Sequence, residues 1–207
     1  MPYVTRAGVE VFYHDTGGRG PAVVFGHGFF MDSEMFIHQE RFLGDRGYRV
    51  ICWDARGHGR THADPTQLFS YWDLAEDCLA VMDAAGVDTA VLAGMSQGGY
   101  SALRVALTAP ERVRALVLLG TEAGASNDAE KLDYRNMFDA WCDRDVPLDP
   151  IAQALAPRLI GGSSADHAPW LAKWAGSDRP AIRAAAQCLI ERESVTDRLS
   201  EITCPHW

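Results

Sequence analysis

A serine flanked by glycines is the strongest chemical signal in the sequence. The segment is Gly94-Met95-Ser96-Gln97-Gly98. It lies between an apolar run at 88–93, which predicts a strand, and residues 97–109, which predict a helix. In a strand–turn–helix of this kind the glycines permit a very tight turn, and the serine hydroxyl is presented above the sheet. We therefore predict that Ser96 is a catalytic nucleophile; the alternative is a chance match in an ordinary turn.

A second glycine-rich segment supplies backbone donors for the same chemistry. Gly26-His27-Gly28-Phe29-Phe30 follows an apolar run at 21–25. Such a turn leaves backbone N–H groups free of secondary structure, and free N–H groups can stabilise the negative oxygen that develops during attack on a carbonyl. We expect the N–H groups of Phe29 and Gln97 to form this oxyanion hole. A plain strand–helix turn is the alternative.

A third loop, Asp54-Ala55-Arg56-Gly57-His58-Gly59-Arg60, follows the predicted strand at 48–53. Its glycines indicate a tight loop, in which Asp54 and Arg56 are expected to pair. A single histidine in such a loop is more often a hydrogen-bonded scaffold residue than a base. We therefore interpret His58 as structural.

The elements that position these loops alternate along the chain. From residue 21 to 119 the order is β-α-β-α-β-α-β, and near-continuous apolar strands between helices predict a mostly parallel sheet with helices on both faces. A hairpin is expected to precede it, from residues 3–6 and 9–13. Residues 127–193 contain only helix-like segments, which predict a helical cap over the carboxyl edge of the sheet. Those segments are 131–142, 150–160, 170–175 and 180–191.

Composition excludes several classes of function. The 207 residues are 47% hydrophobic and carry a formal charge of -9, so binding to nucleic acid or to an anionic membrane is disfavoured. Five scattered cysteines without a CxxC pair favour reduced thiols, and no signal-peptide-like or membrane-spanning apolar run is present. The expected location is the cytoplasm.

Taken together, the motifs resemble those of α/β-hydrolases, in particular the small esterase, enol-lactonase and haloperoxidase-like group. The matching segments are Gly26-His27-Gly28-Phe29, Asp54-Ala55-Arg56-Gly57-His58-Gly59, Gly94-Met95-Ser96-Gln97-Gly98-Gly99, Pro110-Glu111-Arg112-Val113 and Ile202-Thr203-Cys204-Pro205. The resemblance implies an α/β fold, Ser96 as nucleophile, and Phe29 and Gln97 as oxyanion donors. It implies no cofactor and no metal.

The sequence departs from this family at its end. Family members continue with two more strands and a final helix, which carry the acid and the histidine of a catalytic triad. We therefore expect a chain truncated before both groups, organised as a core at 1–122, a cap at 123–195 and a remnant at 196–207. Replacements within the chain are Glu122, directly after the strand at 113–119, and His167 or His206.

Two further expectations follow from the missing strands. The strand at 113–119 becomes an exposed edge, which predicts a homodimer or larger assembly through that edge. The activity expected is hydrolysis of small esters or lactones with an incomplete or rebuilt triad. The alternatives are a catalytically impaired binding or scaffold protein, and a cofactor-free haloperoxidase or perhydrolase.

Overall fold

The computed structural model describes residues 2–207, and its centre is one six-stranded sheet with strand order β1-β2-β4-β3-β5-β6. The first two strands form an antiparallel hairpin, β2 pairs antiparallel with β4, and β4, β3, β5 and β6 are parallel. This confirms the predicted mostly parallel sheet. The strands are β1 (Tyr3–Arg6), β2 (Val9–Asp15), β3 (Ala22–Gly26), β4 (Arg49–Trp53), β5 (Ala90–Met95) and β6 (Val113–Leu119).

Seven α-helices connect and cover these strands in the described residues. They are α1 (Ile37–Gly44), α2 (Tyr71–Ala84), α3 (Gln97–Thr108), α4 (Asp128–Cys142), α5 (Leu148–Leu159), α6 (Ser164–Ala175) and α7 (Arg183–Ile190). Short 3-10 turns add Ser33–Phe36, Pro110–Arg112, Arg179–Ile182 and Thr196–Glu201. The largest difference from the sequence prediction is α6, which begins six residues before 170. Its start is stabilised by a capping box between Ser163 and Asp166.

Both faces of the sheet are buried, as the continuous apolar strands require. In β3, Val24 belongs to the hydrophobic cluster that includes residues of α2 and α3, whereas Val23 and Phe25 pack in a second cluster with Phe36. Alternate residues of a strand point to opposite faces, so one strand contributes to both clusters.

Helices α4–α7 share the larger of these clusters with the sheet. Phe138, Trp141 and Trp174 are each at most 3% exposed and belong to the same cluster as the core residue Leu92. The division into a core at 1–122 and a cap at 123–195 therefore stays a description of chain order, because one apolar interior extends across it.

The last residues of the chain cover part of the β6 edge. The N–H of Leu116 donates to the Pro205 carbonyl at 2.9 Å, and the N–H of Leu118 donates to the Trp207 carbonyl at 2.8 Å. His206 forms a parallel bridge with Leu116. The expectation of a wholly uncovered edge was therefore wrong at Leu116–Leu118, where the backbone groups already have partners.

Three further features bear on the classes of function considered above. Within residues 2–207 no helix has both the length and the apolar character needed to cross a bilayer. The same residues contain no group of three or more His, Cys, Asp or Glu side chains arranged to hold a metal ion. All five cysteines are free, and four of them are buried.

We predict that Gly98→Ala lowers the stability of the protein by about 1–3 kcal/mol, because an added Cβ would clash with the carbonyl group of Gly26 in β3. Urea unfolding followed by circular dichroism measures the change. Gly44→Ala is the matched control: its Cβ would meet no atom within 4 Å, so it should be neutral or slightly stabilising. Equal unfolding midpoints for the two variants would contradict the close approach.

Candidate active site

Ser96 occupies the turn between β5 and α3 in a conformation that non-glycine residues rarely adopt. Its φ is 49° and its ψ is -111°. The turn is fixed from both sides, because the Ser96 N–H donates to the Leu119 carbonyl at 2.9 Å and the Ser96 carbonyl accepts from Tyr100 at 3.0 Å. The side chain is partly exposed, and its Oγ has no hydrogen-bond partner among residues 2–207. The hydroxyl is therefore unengaged by the described residues.

The glycines around Ser96 explain why the turn can form. A Cβ on Gly94 would overlap the backbone of Gly98 and Gly99, and a Cβ on Gly26 would lie 2.8 Å from the Gly98 Cα. The start of α3 thus lies directly against the end of β3. Only glycine at these positions permits the approach.

Two backbone N–H groups, one in each glycine-containing turn, have no acceptor in the described part of the chain. One is that of Gln97, the first residue of α3, where an N–H has no carbonyl to bind within the helix. The other is that of Phe29, in the turn after β3. The α3 terminus adds a partial positive charge at the same place. These are the two donors that the sequence predicted for an oxyanion hole.

His27 has a structural role in the turn after β3. Its Nε2 accepts a hydrogen bond from the Ala55 N–H at 2.9 Å, so this nitrogen carries no proton. Its Nδ1 then donates to the Gly28 carbonyl at 2.8 Å. Both ring nitrogens are occupied, and the side chain is 1% exposed. His27 links two loops and is not placed to act as a base.

Helices α4 and α6 contact the turn after β3. The Trp174 indole N–H donates to the Phe30 carbonyl at 2.7 Å, and the Phe30 ring packs on Trp141 with centroids 4.2 Å apart. Phe29 packs on Phe138 at 4.8 Å. Phe30 itself has a φ of 65°, in the left-handed region that residues other than glycine rarely adopt. Sequence analysis identified none of these contacts, because the residues that form them lie more than 100 positions apart in the chain.

An ion pair strengthens the connection between α6 and this turn. The Lys173 Nζ lies 2.6 Å from the Asp32 carboxylate and 2.8 Å from the Glu34 carboxylate. Asp32 follows the turn directly, so the cap and the turn are joined by polar as well as aromatic contacts. The pair is partly exposed, and its contribution to stability is modest.

Asp54 and Arg56 do not pair with each other, and the sequence prediction was wrong on this point. The Asp54 carboxylate accepts the N–H groups of Ser33 at 2.7 Å and Arg60 at 2.8 Å. Arg56 instead makes a bidentate pair with Asp77 of α2, at 2.6 and 2.8 Å. The Asp54 carboxylate lies beside backbone N–H groups and accepts from them, whereas the Arg56 guanidinium extends to α2 and binds Asp77 there.

His58 lies behind the predicted oxyanion turn as a neutral side chain. It is 5% exposed, its ring contacts Phe29 at 4.7 Å, and its Nδ1 donates to the Arg56 carbonyl at 3.1 Å. Burial, with a smaller contribution from His27, lowers the pKa of His58 to about 3. The imidazole is therefore uncharged at neutral pH, which fits the structural interpretation.

None of the three candidate acid and base residues forms a hydrogen bond with the serine hydroxyl, and each has another partner. The Glu122 carboxylate binds Arg192 at 2.7 Å. His167, on α6, contacts the Gly161 carbonyl through Nε2 at 2.7 Å, and His206 contacts the Cys204 carbonyl at 3.2 Å. Glu122 and His206 line one apolar cavity of about 230 Å³ without a hydrogen bond between them. Ser96, Phe29 and Gln97 thus stay a prediction for the site, and no histidine or carboxylate among residues 2–207 hydrogen-bonds the Ser96 Oγ.

The neutral, buried state of His58 gives a pH-dependent contribution to stability. Unfolded His58 takes up a proton as the pH falls below about 6.5, whereas the folded residue does so only near its pKa of about 3. The free energy of unfolding should therefore fall with decreasing pH between these values, by up to about 1.4 kcal/mol per unit. His58→Phe removes the titrating group, and urea unfolding at pH 7, 6, 5 and 4 should show a shallower slope.

His58→Phe is expected to be less stable than wild type at every pH, because the hydrogen bond to the Arg56 carbonyl is lost. The slope of the free energy of unfolding against pH is therefore the quantity to compare. His62→Gln, at an exposed position, is the control for the loss of a histidine. Parallel pH profiles for wild type and His58→Phe would show that His58 does not titrate in this manner.

Comparison with known proteins agrees with this geometry. The family model described as alpha/beta hydrolase fold matches residues 21–155. A non-heme haloperoxidase of Rhodococcus erythropolis is 40% identical over 125 residues, which cover 58% of this chain and 44% of that protein. A bifunctional esterase/perhydrolase of Acinetobacter calcoaceticus is 40% identical over 104 residues, covering 48% of this chain and 36% of its own length.

The chain thus spans less than half the length of these two curated relatives. Among solved structures, a thermophilic esterase from Thermogutta terrifontis superposes with a TM-score of 0.82 at 29% identity, over 99% of this chain and 77% of the esterase. The sheet order, the glycine-bounded serine turn and the family match lead to one conclusion: the chain belongs to the alpha/beta hydrolase fold family.

Proposed function

We propose that the protein is a serine hydrolase of small esters or lactones in which Ser96 is the nucleophile. The observation that carries the proposal is the Ser96 turn itself, with a φ of 49° and a hydroxyl that no described residue engages. The unbonded N–H groups of Phe29 and Gln97 beside it, and the likeness to an esterase of known structure, support the same reaction.

The proposed reaction has two stages. The Ser96 Oγ attacks the carbonyl carbon of the ester, its proton passes to a general base, and the carbonyl electron pair moves to an oxygen bound by the Phe29 and Gln97 N–H groups. Collapse of this intermediate expels the alcohol, which takes the proton from the base, and leaves an acyl group on Ser96. Water then repeats the attack, so that the acid leaves and the serine is restored. Each oxyanion donor contributes about 3–4 kcal/mol.

The preference for small substrates rests on the cap. Phe138 packs against Phe29, and Trp141 packs against Phe30, on the turn that would bind the oxyanion. Ser96 itself is only partly exposed. A bulky acyl or alcohol group would have to displace buried aromatic side chains, whereas a short one would not.

The general base is the part of this mechanism that the described contacts do not supply. Residues Pro205–Trp207 run parallel to β6, toward the same sheet edge as Ser96. We propose that the base and its acid act from this side of Ser96, on a second copy of the chain. Glu122, His167 and His206 are the alternatives among the described residues and would each have to exchange their present partners.

A second proposal is a hydrolase-fold binding protein with little turnover. The observation that favours it is that no histidine among residues 2–207 contacts the Ser96 Oγ. Loss of a triad member leaves a residual rate of only ~10³–10⁴-fold over water. A haloperoxidase or perhydrolase activity, of the kind named for the two curated relatives, would use the same serine and the same base; halide-dependent dye bleaching in acetate and peroxide tests it.

A fluorophosphonate probe should distinguish an enzyme from a binding protein. We predict covalent labelling of wild type and none of Ser96→Ala, because the reaction requires an activated hydroxyl next to free oxyanion donors. Mass spectrometry of the labelled peptide identifies the residue. In parallel, p-nitrophenyl acetate should give turnover that falls at least about 100-fold in Ser96→Ala.

Ser194→Ala is the matched control, since Ser194 is an exposed serine away from the turn. It should be labelled and should turn over ester like wild type. Absence of labelling in wild type, together with the same ester rate in wild type and Ser96→Ala, would overturn the hydrolase proposal and leave the binding protein.

We also propose a homodimer through the β6 edge. Leu119 is 45% exposed and Trp207 is 72% exposed beside the strand, and a second chain would cover both. Light scattering after gel filtration should give twice the monomer mass for wild type and the monomer mass for Leu119→Lys combined with Trp207→Lys. Leu132→Lys, on α4 and 55% exposed, should remain dimeric. A monomeric wild type would contradict the proposal.

A further inference from the structure

Two buried arginines share one cavity away from the serine turn. Arg104 of α3 and Arg192, which follows α7, are 2% and 3% exposed. Both line a cavity of about 180 Å³ between the start of α2 and the end of α7, which Ser96 does not line. Two guanidinium groups in one buried cavity repel each other unless negative charge compensates them.

Arg104 lacks such compensation. Its Nη1 donates to the Tyr100 carbonyl at 3.1 Å and its Nη2 to the Glu193 carbonyl at 2.6 Å, both of which are backbone groups. Its Nε is buried without an acceptor. Among residues 2–207 no carboxylate lies within ion-pair distance of it. Burial lowers the pKa of Arg104, and Arg192 contributes to the decrease.

Arg192 is only partly compensated. Its Nη2 binds the Glu122 carboxylate at 2.7 Å and the Gly124 carbonyl at 2.8 Å, but its Nη1 is buried without an acceptor. The guanidinium lies 3.9 Å from the centre of the Tyr100 ring. Each of the two arginines that line the cavity therefore has one buried guanidinium nitrogen without an acceptor.

The other charges at the cavity wall are already engaged. The Glu191 carboxylate binds Lys131 and Arg135, each at 3.1 Å. The Glu193 carboxylate accepts the Trp72 indole N–H at 2.8 Å. Aromatic rings stabilise Arg104 in part, since its guanidinium lies 5.2 Å from the Trp72 ring. Cation–π contacts of this kind offset only part of the cost of a buried charge.

We propose that this cavity is a binding site for a small oxyanion, a carboxylate or inorganic phosphate. Guanidinium groups bind such anions through several N–H donors at once. Arg104 Nε and Arg192 Nη1 have no hydrogen-bond acceptor among the described residues. The volume of about 180 Å³ holds several groups the size of a water molecule, so an anion of four or five heavy atoms fits. Because the chain as a whole carries a charge of -9, binding depends on these two residues rather than on the overall field.

Thermal unfolding with added anions tests the site. At constant ionic strength, replacing chloride by phosphate or acetate should raise the Tm of wild type by about 3 °C at tenfold excess over Kd, with saturation. A rise with phosphate alone assigns the site to phosphate, and a rise with acetate alone assigns it to carboxylates. In Arg104→Met the anion-dependent rise should disappear.

Arg114→Met is the matched control, because Arg114 is an exposed arginine on β6. It should keep the wild-type response. Should Arg104→Met fail to fold, calorimetric titration of wild type with phosphate and with acetate decides, supported by Arg104→Gln. No response of wild type beyond chloride, or an equal response in a folded Arg104 variant, would overturn the site.

Discussion

The close approach of two backbone segments, the end of β3 and the start of α3, is the constraint on which the candidate site depends. Gly26 and Gly98 lie so near that neither tolerates a Cβ, and Gly94 is confined by the same turn. With β5 and α3 joined by so few residues, the connecting residue must reverse the chain direction sharply. Ser96 is that residue, and it makes this reversal at a φ of 49°. Strain of this kind persists because the surrounding packing over-determines it.

The two N–H groups that we propose as oxyanion donors lie on different elements. Gln97 is the first residue of α3, whereas Phe29 lies in a turn in which the Met31 N–H donates to the Gly28 carbonyl at 3.1 Å. Two side chains fix that turn: His27, which binds the Ala55 N–H, and Trp174, which donates to the Phe30 carbonyl at 2.7 Å. The cap therefore does more than cover the site. Because Trp174 belongs to α6, any displacement of α6 would also disturb the turn that carries the Phe29 N–H.

Local sequence was sufficient for the sheet, the connecting helices and the Ser96 turn. Apolar runs bounded by glycine or proline mark each parallel strand, and a serine between two glycines after such a run is a signal contained within five residues. The contacts that sequence analysis missed join residues far apart in the chain. Arg56 pairs with Asp77 across 21 positions, and Trp174 binds Phe30 across 144. No local pattern distinguishes these partners from other carboxylates or aromatic residues. The backbone pairing of Leu118 with Trp207 cannot be predicted from the sequence for the same reason.

The buried charges of the protein fall into two kinds that imply different roles. Arg56 and Asp77 satisfy one another in a bidentate pair, and Arg6 adds a further donor to Asp77 at 3.0 Å. Such a pair fixes the loop that carries His58 and needs nothing more. Arg104 and Arg192 are buried to a similar degree, yet each retains an N–H without an acceptor. Burial of an unmatched donor costs about 1–3 kcal/mol, and more for a charged group, so a fold that keeps two such groups beside one cavity loses stability. An anion that occupies the cavity removes that loss, which is why we assign a ligand to the second cluster and only a structural role to the first.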